Sequence, residues 1–150
     1  MCNWDPPYSV QIDGHVGNKG KIKHDEFAMA SGEMSSDQFT AFLQTALGHL
    51  HAASADGSIS FVFMDWRHSL EILHAAKPIF GDPRQLCVWA KDNAGMGSFY
   101  RSQHEPIHVF KQGQSPHINN FELVKHGRFR PNRWNYPGAA TFKGQQLLAF

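Results

Sequence analysis

Apolar positions along this chain change their spacing several times, and each change marks an element. Ser9 to Glu33 is rich in Gly, Lys and His with weak periodicity, so it reads as a long loop. Long loops in compact domains are usually functional or disordered. Ser35 with Gln38 then fits a capping box, which satisfies free backbone donors at a helix start. Phe39, Phe42, Leu43, Ala46, Leu47 and Leu50 recur at i, i+3, i+4, i+7, i+8 and i+11. That spacing predicts an amphipathic helix ending near Ser54 to Gly57. Ile59 to Met64 is almost continuously apolar and predicts a strand buried on both faces. A second helix is predicted from about Ser69 to Ala76, stopped by Pro78. Leu86 to Trp89 predicts another strand, Asp92 to Ser102 a glycine-rich loop, and His104 to Lys111 a further strand. The last two strands are joined too closely for a helical crossover, so an antiparallel pair is expected. The order helix, strand, helix, strand, strand argues for a single α/β domain with a central sheet.

The chain has 150 residues, enough for one hydrophobic core. It is 41% hydrophobic and 18% charged, as ordinary globular proteins are. No apolar run approaches the ~20 residues of a membrane span. The start, Met1-Cys2-Asn3-Trp4, lacks a basic segment and an apolar stretch, so no secretory signal is expected. Cys2 and Cys87 form no CxxC pair and read as free thiols in a reducing, cytoplasmic setting. Among the ten histidines, His49 with His51 and His104 with His108 invite a metal reading. Neither pair has a second pair at a recognised spacing, so no metal is expected. The net charge of +1 conceals an asymmetry. Leu123 to Phe150 holds five Lys/Arg and no acid, which leaves a balance of −4 in the first 122 residues. A basic end of this kind suits either phosphate contact or a solubilising tail.

Asp5-Pro6-Pro7-Tyr8 is the most informative feature. At average composition it should occur by chance in fewer than about one in a thousand chains of this size. A turn explains Asp-Pro, because Asp favours turn starts and Pro fixes the next φ. It does not require Pro-Pro-Tyr. Chemistry accounts for all four residues. The lone pair of an exocyclic amino group is delocalised into its base ring. A carboxylate and a backbone carbonyl side by side can each accept one N–H, drawing the nitrogen toward tetrahedral geometry. Asp5 would be one acceptor and the Pro6 carbonyl the other. Pro7 with Pro6 stiffens the loop, so docking loses little entropy. Tyr8 would stack on a base flipped from its duplex.

On these residues the chain resembles the amino-directed DNA methyltransferases, whose catalytic motif is Asp-Pro-Pro-Tyr. Further blocks follow in that family's order. Phe61 to His68 resembles the next strand and turn. Trp89-Ala90-Lys91 with Gly95 to Arg101 is similar to the following block. His104 to Lys111 resembles the strand near the target base, and Asn132 to Tyr136 a later Asn-x-Trp-x-Tyr stretch. The resemblance implies part of a Rossmann-like, S-adenosylmethionine-dependent methyltransferase fold with a mixed central sheet. It implies double-stranded DNA as partner and S-adenosylmethionine as methyl donor, in a bacterial or phage setting. Relatives acting on cytosine more often begin the motif with Ser, and those acting on protein glutamine or some RNAs with Asn. Asp5 therefore implies adenine.

The resemblance also implies gaps. Only Met1 to Trp4 precede the motif, too short for a full strand at ~3.3 Å per residue. The family's Phe-x-Gly-x-Gly turn and His-Pro-Thr-like stretch do not occur, and Gly95-Met96-Gly97 matches a different block. A truncated form is expected, with the cofactor strands missing. It would be helped by a second chain or a homodimer, or it would be an inactive DNA-binding remnant. Asp65 and Trp66, at a strand end, are the expected cofactor contacts together with Asp5. Lys125, Arg128, Arg130, Arg133 and Trp134, with Arg101 and His104, are the expected DNA contacts. For the basic group a solvated loop stands on equal terms, and for Trp66 core packing does. Lys19, Lys21, Lys23 and His24 could close over the base, although basic glycine-rich loops are common. Glu105 resembles the base side of the pocket, or it could pair with Arg101.

Overall fold

A computed structural model describes residues 1–11, 27–95, 99–118 and 131–138. The expected loop lies partly outside them, with Lys19, Lys21, Lys23 and His24. So do Met96, Lys125, Arg128 and Arg130. The described elements are β1 (Cys2–Trp4), α1 (Ser36–Ala52), β2 (Ile59–Phe63), α2 (Ser69–Phe80), β3 (Gln85–Ala90), β4 (His104–Lys111) and β5 (Arg133–Asn135). A single 3-10 turn over Trp66–His68 leads into α2.

The helix α1 starts as its sequence predicts. The Ser35 side chain accepts from the Gln38 backbone N–H, and the Gln38 side chain accepts from the Ser35 N–H. Its apolar stripe faces inward, with Phe39, Leu43 and Leu47 buried. The helix α2 runs past Pro78 to Phe80, where the sequence predicts a stop near Ala76. A proline within a helix removes one backbone bond and crowds the carbonyl a turn earlier. Here that cost falls in the last turn, and the extension brings Ile79 and Phe80 onto the core. Phe80 stacks on Phe110 at 5.4 Å and meets His51 edge-on at 5.3 Å.

The strand order is β1-β2-β4-β3-β5. β1 and β2 are parallel, as are β3 and β5, while β4 runs antiparallel to both of its neighbours. The expected antiparallel β3–β4 pair is present. Pro106 lies inside a central strand, where a missing donor would normally be costly. It sits just beyond the last β2–β4 pair, Phe63 with Ile107. The Val88 N–H opposite it bonds to the Asn132 carbonyl instead. Two short strands, β1 and β5, were not legible as strands. Three residues carry no period, and they are recruited by the ladder beside them.

The two faces of the sheet differ. Val62, Met64 and Phe110 form one core with α1 and α2. Cys87, Ile107 and Val109 form the other, flanked by half-buried Ile59, Phe61, Phe63, Trp89 and Trp134. The strand β2 is therefore fully buried on its helix side only, where the sequence predicts burial on both. No described helix covers the second face.

Candidate active site at the carboxyl edge of the sheet

Strand direction decides what gathers at one edge. β1, β2, β3 and β5 all point the same way, and β4 begins where they end. That edge therefore carries Asp5 to Tyr8 after β1, Asp65 and Trp66 after β2, and Lys91 after β3. His104 and Glu105 stand there at the start of β4. Ligands of open α/β sheets bind at such edges.

Asp5 and Tyr8 are linked directly. The Tyr8 hydroxyl lies 2.6 Å from Asp5 Oδ1 and 3.0 Å from Glu105 Oε2. Lys91 Nζ donates to Glu105 Oε1. It also sits over the Trp89 ring, 4.7 Å from its centroid. Pro6 is buried, and Pro7 and Tyr8 are half-buried. Ser9, directly after the motif, holds a left-handed φ of 52°. Such a conformation costs a non-glycine residue energy and persists where the surroundings impose it. It turns the chain away once Tyr8 is seated against the helix-side core.

The electrostatics follow from crowding. Asp5 keeps contact with solvent, yet partial desolvation raises its carboxyl above the ordinary value. The Tyr8 bond opposes that shift, Glu105 adds to it, and Lys91 opposes it. Burial pushes the Tyr8 hydroxyl far up, and the two carboxylates push it further, so Tyr8 stays neutral.

The other predicted residues divide. Asp65 caps the 3-10 turn, and both of its oxygens accept from Arg67, through Nε at 2.7 Å and Nη2 at 3.1 Å. Burial raises the Asp65 carboxyl, and the Arg67 hydrogen bonds and charge outweigh it, so its pKa is lowered. A group lowered in the folded state adds stability above its unfolded pKa, and the contribution fades as pH falls through the folded value. Arg67→Ala should raise the Asp65 midpoint, because the cation goes and the burial stays. Carboxyl carbon NMR titration reads this, and an unmoved midpoint would mean that Arg67 does not hold Asp65. Trp66 is exposed, with Arg67 5.9 Å from its ring centroid, so it is not a core residue.

Arg101 reaches back to the Ala94 and Gly95 carbonyls at 2.9 and 3.4 Å and ties its own loop. It does not pair with Glu105, whose ion-pair partner is Lys91. His104 is exposed at the edge, and Arg133 is exposed at the start of β5. Trp134 lies against Phe61, 5.8 Å between centroids, on the second face. Asn132 donates to the Leu86 carbonyl at 2.7 Å, and the Tyr136 carbonyl accepts from Trp89 Nε1 at 2.9 Å. The Asn-x-Trp-x-Tyr stretch thus fastens β5 to β3. In the sequence Lys91 stands out only as part of the Trp89-Ala90-Lys91 block, with no role at the site. Its link to Glu105 depends on the β3–β4 register, which spacing alone does not reveal.

Comparison with known proteins agrees on the architecture. A family model described as DNA methylase matches residues 1–146. No curated protein sequence matches the chain. Among solved structures, the fold is similar to a Thermus thermophilus protein described as an inferred DNA modification methylase, with a TM-score of 0.55 and 13% identity. That match covers 93% of this chain and 59% of the Thermus chain. The likeness supports a partial Rossmann-like arrangement with a mixed sheet.

Proposed function

The chain belongs to the DNA methylase family, and from that premise we propose that it binds the target base of a DNA methyltransferase and presents an exocyclic amino group, that of adenine, for methylation. The observation that carries this reading is the Asp5 carboxylate beside Tyr8 at the open edge, backed by Glu105 and Lys91. Asp5 and the Pro6 carbonyl would each accept one N–H of the amino group. The nitrogen then moves toward tetrahedral geometry and its lone pair is freed. Asp5 would also take up the proton that the methylated nitrogen sheds. A carboxyl with a raised pKa is a better base for that purpose than an ordinary one.

S-adenosylmethionine, the family's usual donor, would supply an electrophilic methyl group. The described residues fit the base better than this donor. Asp65, expected to contact it, already accepts from Arg67 on both oxygens, so a cofactor hydroxyl or ammonium would have to share the carboxylate with that guanidinium. Exposed Trp66 remains available as a flat apolar surface. The Asp65–Arg67 pair favours a second reading, a DNA-binding protein without transfer activity of its own. Under either reading, double-stranded DNA is the partner. Arg133, with Lys125, Arg128 and Arg130, is proposed to meet phosphate, and His104 and Arg101 to flank the base.

The test is calorimetry of the 150-residue chain with S-adenosylmethionine, followed by transfer to duplex DNA containing adenine. Saturable donor binding with methylated adenine supports the enzyme. A folded chain that binds DNA but not the donor leaves the second reading. A folded chain that binds neither sinks both.

A further inference from the structure

Tyr8 has one hydroxyl proton and two carboxylates within reach, Asp5 Oδ1 at 2.6 Å and Glu105 Oε2 at 3.0 Å. A phenolic hydroxyl donates to one acceptor at a time. Passing from one to the other needs only rotation of the O–H bond, because the ring stays packed against the helix-side core. The second acceptor is itself held in place. Glu105 is paired with Lys91, and Lys91 rests on Trp89, which faces Glu105 across the β3–β4 ladder.

We propose that Tyr8 is a two-position hydrogen-bond switch for which Glu105 and Lys91 are the positioning residues: the hydroxyl donates to Asp5 in the free protein and turns to Glu105 when an amino group docks on Asp5. This rests on Asp5 being the amino acceptor. In the free protein the Tyr8 proton occupies Asp5 Oδ1 and shields a carboxylate that stands beside another negative charge. An arriving amino group brings its own donor for Asp5. Glu105 then accepts the Tyr8 hydrogen bond, so one charge-assisted bond replaces another and the hydroxyl is never left unpaired. Lys91 keeps Glu105 aimed. Without a second acceptor, the docking amino group would have to compete with Tyr8 for Asp5. The charged groups that act on Asp5 are Glu105 and Lys91. Elsewhere at this edge, His104 is exposed and Asp65 is spent on Arg67.

The experiment follows the Asp5 carboxyl carbon by NMR titration in the full chain, as wild type, Glu105→Gln and Glu105→Ala. Both substitutions remove the charge that raises Asp5. Glutamine keeps an acceptor for Tyr8, whereas alanine leaves its hydroxyl wholly to Asp5. The expected order of midpoints is wild type highest, E105Q lower and E105A lowest. Equal falls in the two variants would mean that Glu105 acts through its charge alone, and would overturn the switch. No fall in either would overturn it as well. Well-dispersed spectra for E105Q, which preserves size and shape, keep the test decisive if E105A fails to fold. The titration needs neither DNA nor methyl donor, so it is separate from the functional reading. The expected order in a chain that never methylates DNA would leave the switch standing and remove the enzyme. In an active chain, E105A should lose about tenfold in kcat with E105Q recovering most of it.

Discussion

If the chain transfers methyl groups as proposed, Asp5→Ala should reduce transfer to duplex DNA by about 10³-fold or more, the scale seen when a preorganised group facing developing charge is removed. The Pro6 carbonyl would remain as an acceptor, but the second N–H would be unpaired and the shed proton would have no carboxylate. The fold should survive, because Asp5 keeps contact with solvent and no hydrophobic core depends on it. A carboxyl whose folded pKa is raised binds its proton more tightly when folded. Stability then declines as pH rises from the ordinary carboxylate value through the raised one. Above that window Asp5→Ala should be neutral or slightly stabilising, while wild-type transfer should rise with pH through the same window. Thermal unfolding with a single-turnover pH profile checks both. Full transfer by the variant would remove Asp5 from the site.

The second large effect concerns the core that holds this edge in place. Phe39→Ala should destabilise the protein by about 3–5 kcal/mol. Phe39 is 1% exposed, lies against Phe42 at 6.2 Å and meets His68 edge-on at 5.0 Å. The His68 contact ties α1 to the turn that follows β2. Against a typical total of about 5–15 kcal/mol, a loss of that size would leave a marginal domain. Urea unfolding should show a lower midpoint at an unchanged slope. A loss below about 1 kcal/mol would mean that α1 does not pack as described.

The sequence by itself determined the elements that are long enough to carry a period. The Ser35–Gln38 cap and the Phe39-to-Leu50 stripe specify α1, because capping and amphipathicity are local. His104 to Lys111 specified β4 to the residue. The run Asp5 to Tyr8 stood out because it is four consecutive residues, and the chemistry proposed for it needs no partner elsewhere to be noticed. The remaining features depended on neighbours distant in the chain. Phe80 lies beyond a proline that locally says stop, and its burial on Phe110 outweighs that signal. Asp65 looked available at a strand end until Arg67, two residues on, folded back onto both of its oxygens. Glu105 had Arg101 four residues away as an obvious partner. The β3–β4 register instead set it beside Lys91 and under reach of Tyr8, 97 positions earlier in the chain. Local pattern decides helices, strands and a contiguous motif, because each is stabilised by residues close in sequence. Only the tertiary structure decides which charges meet, because strand order and register bring them together.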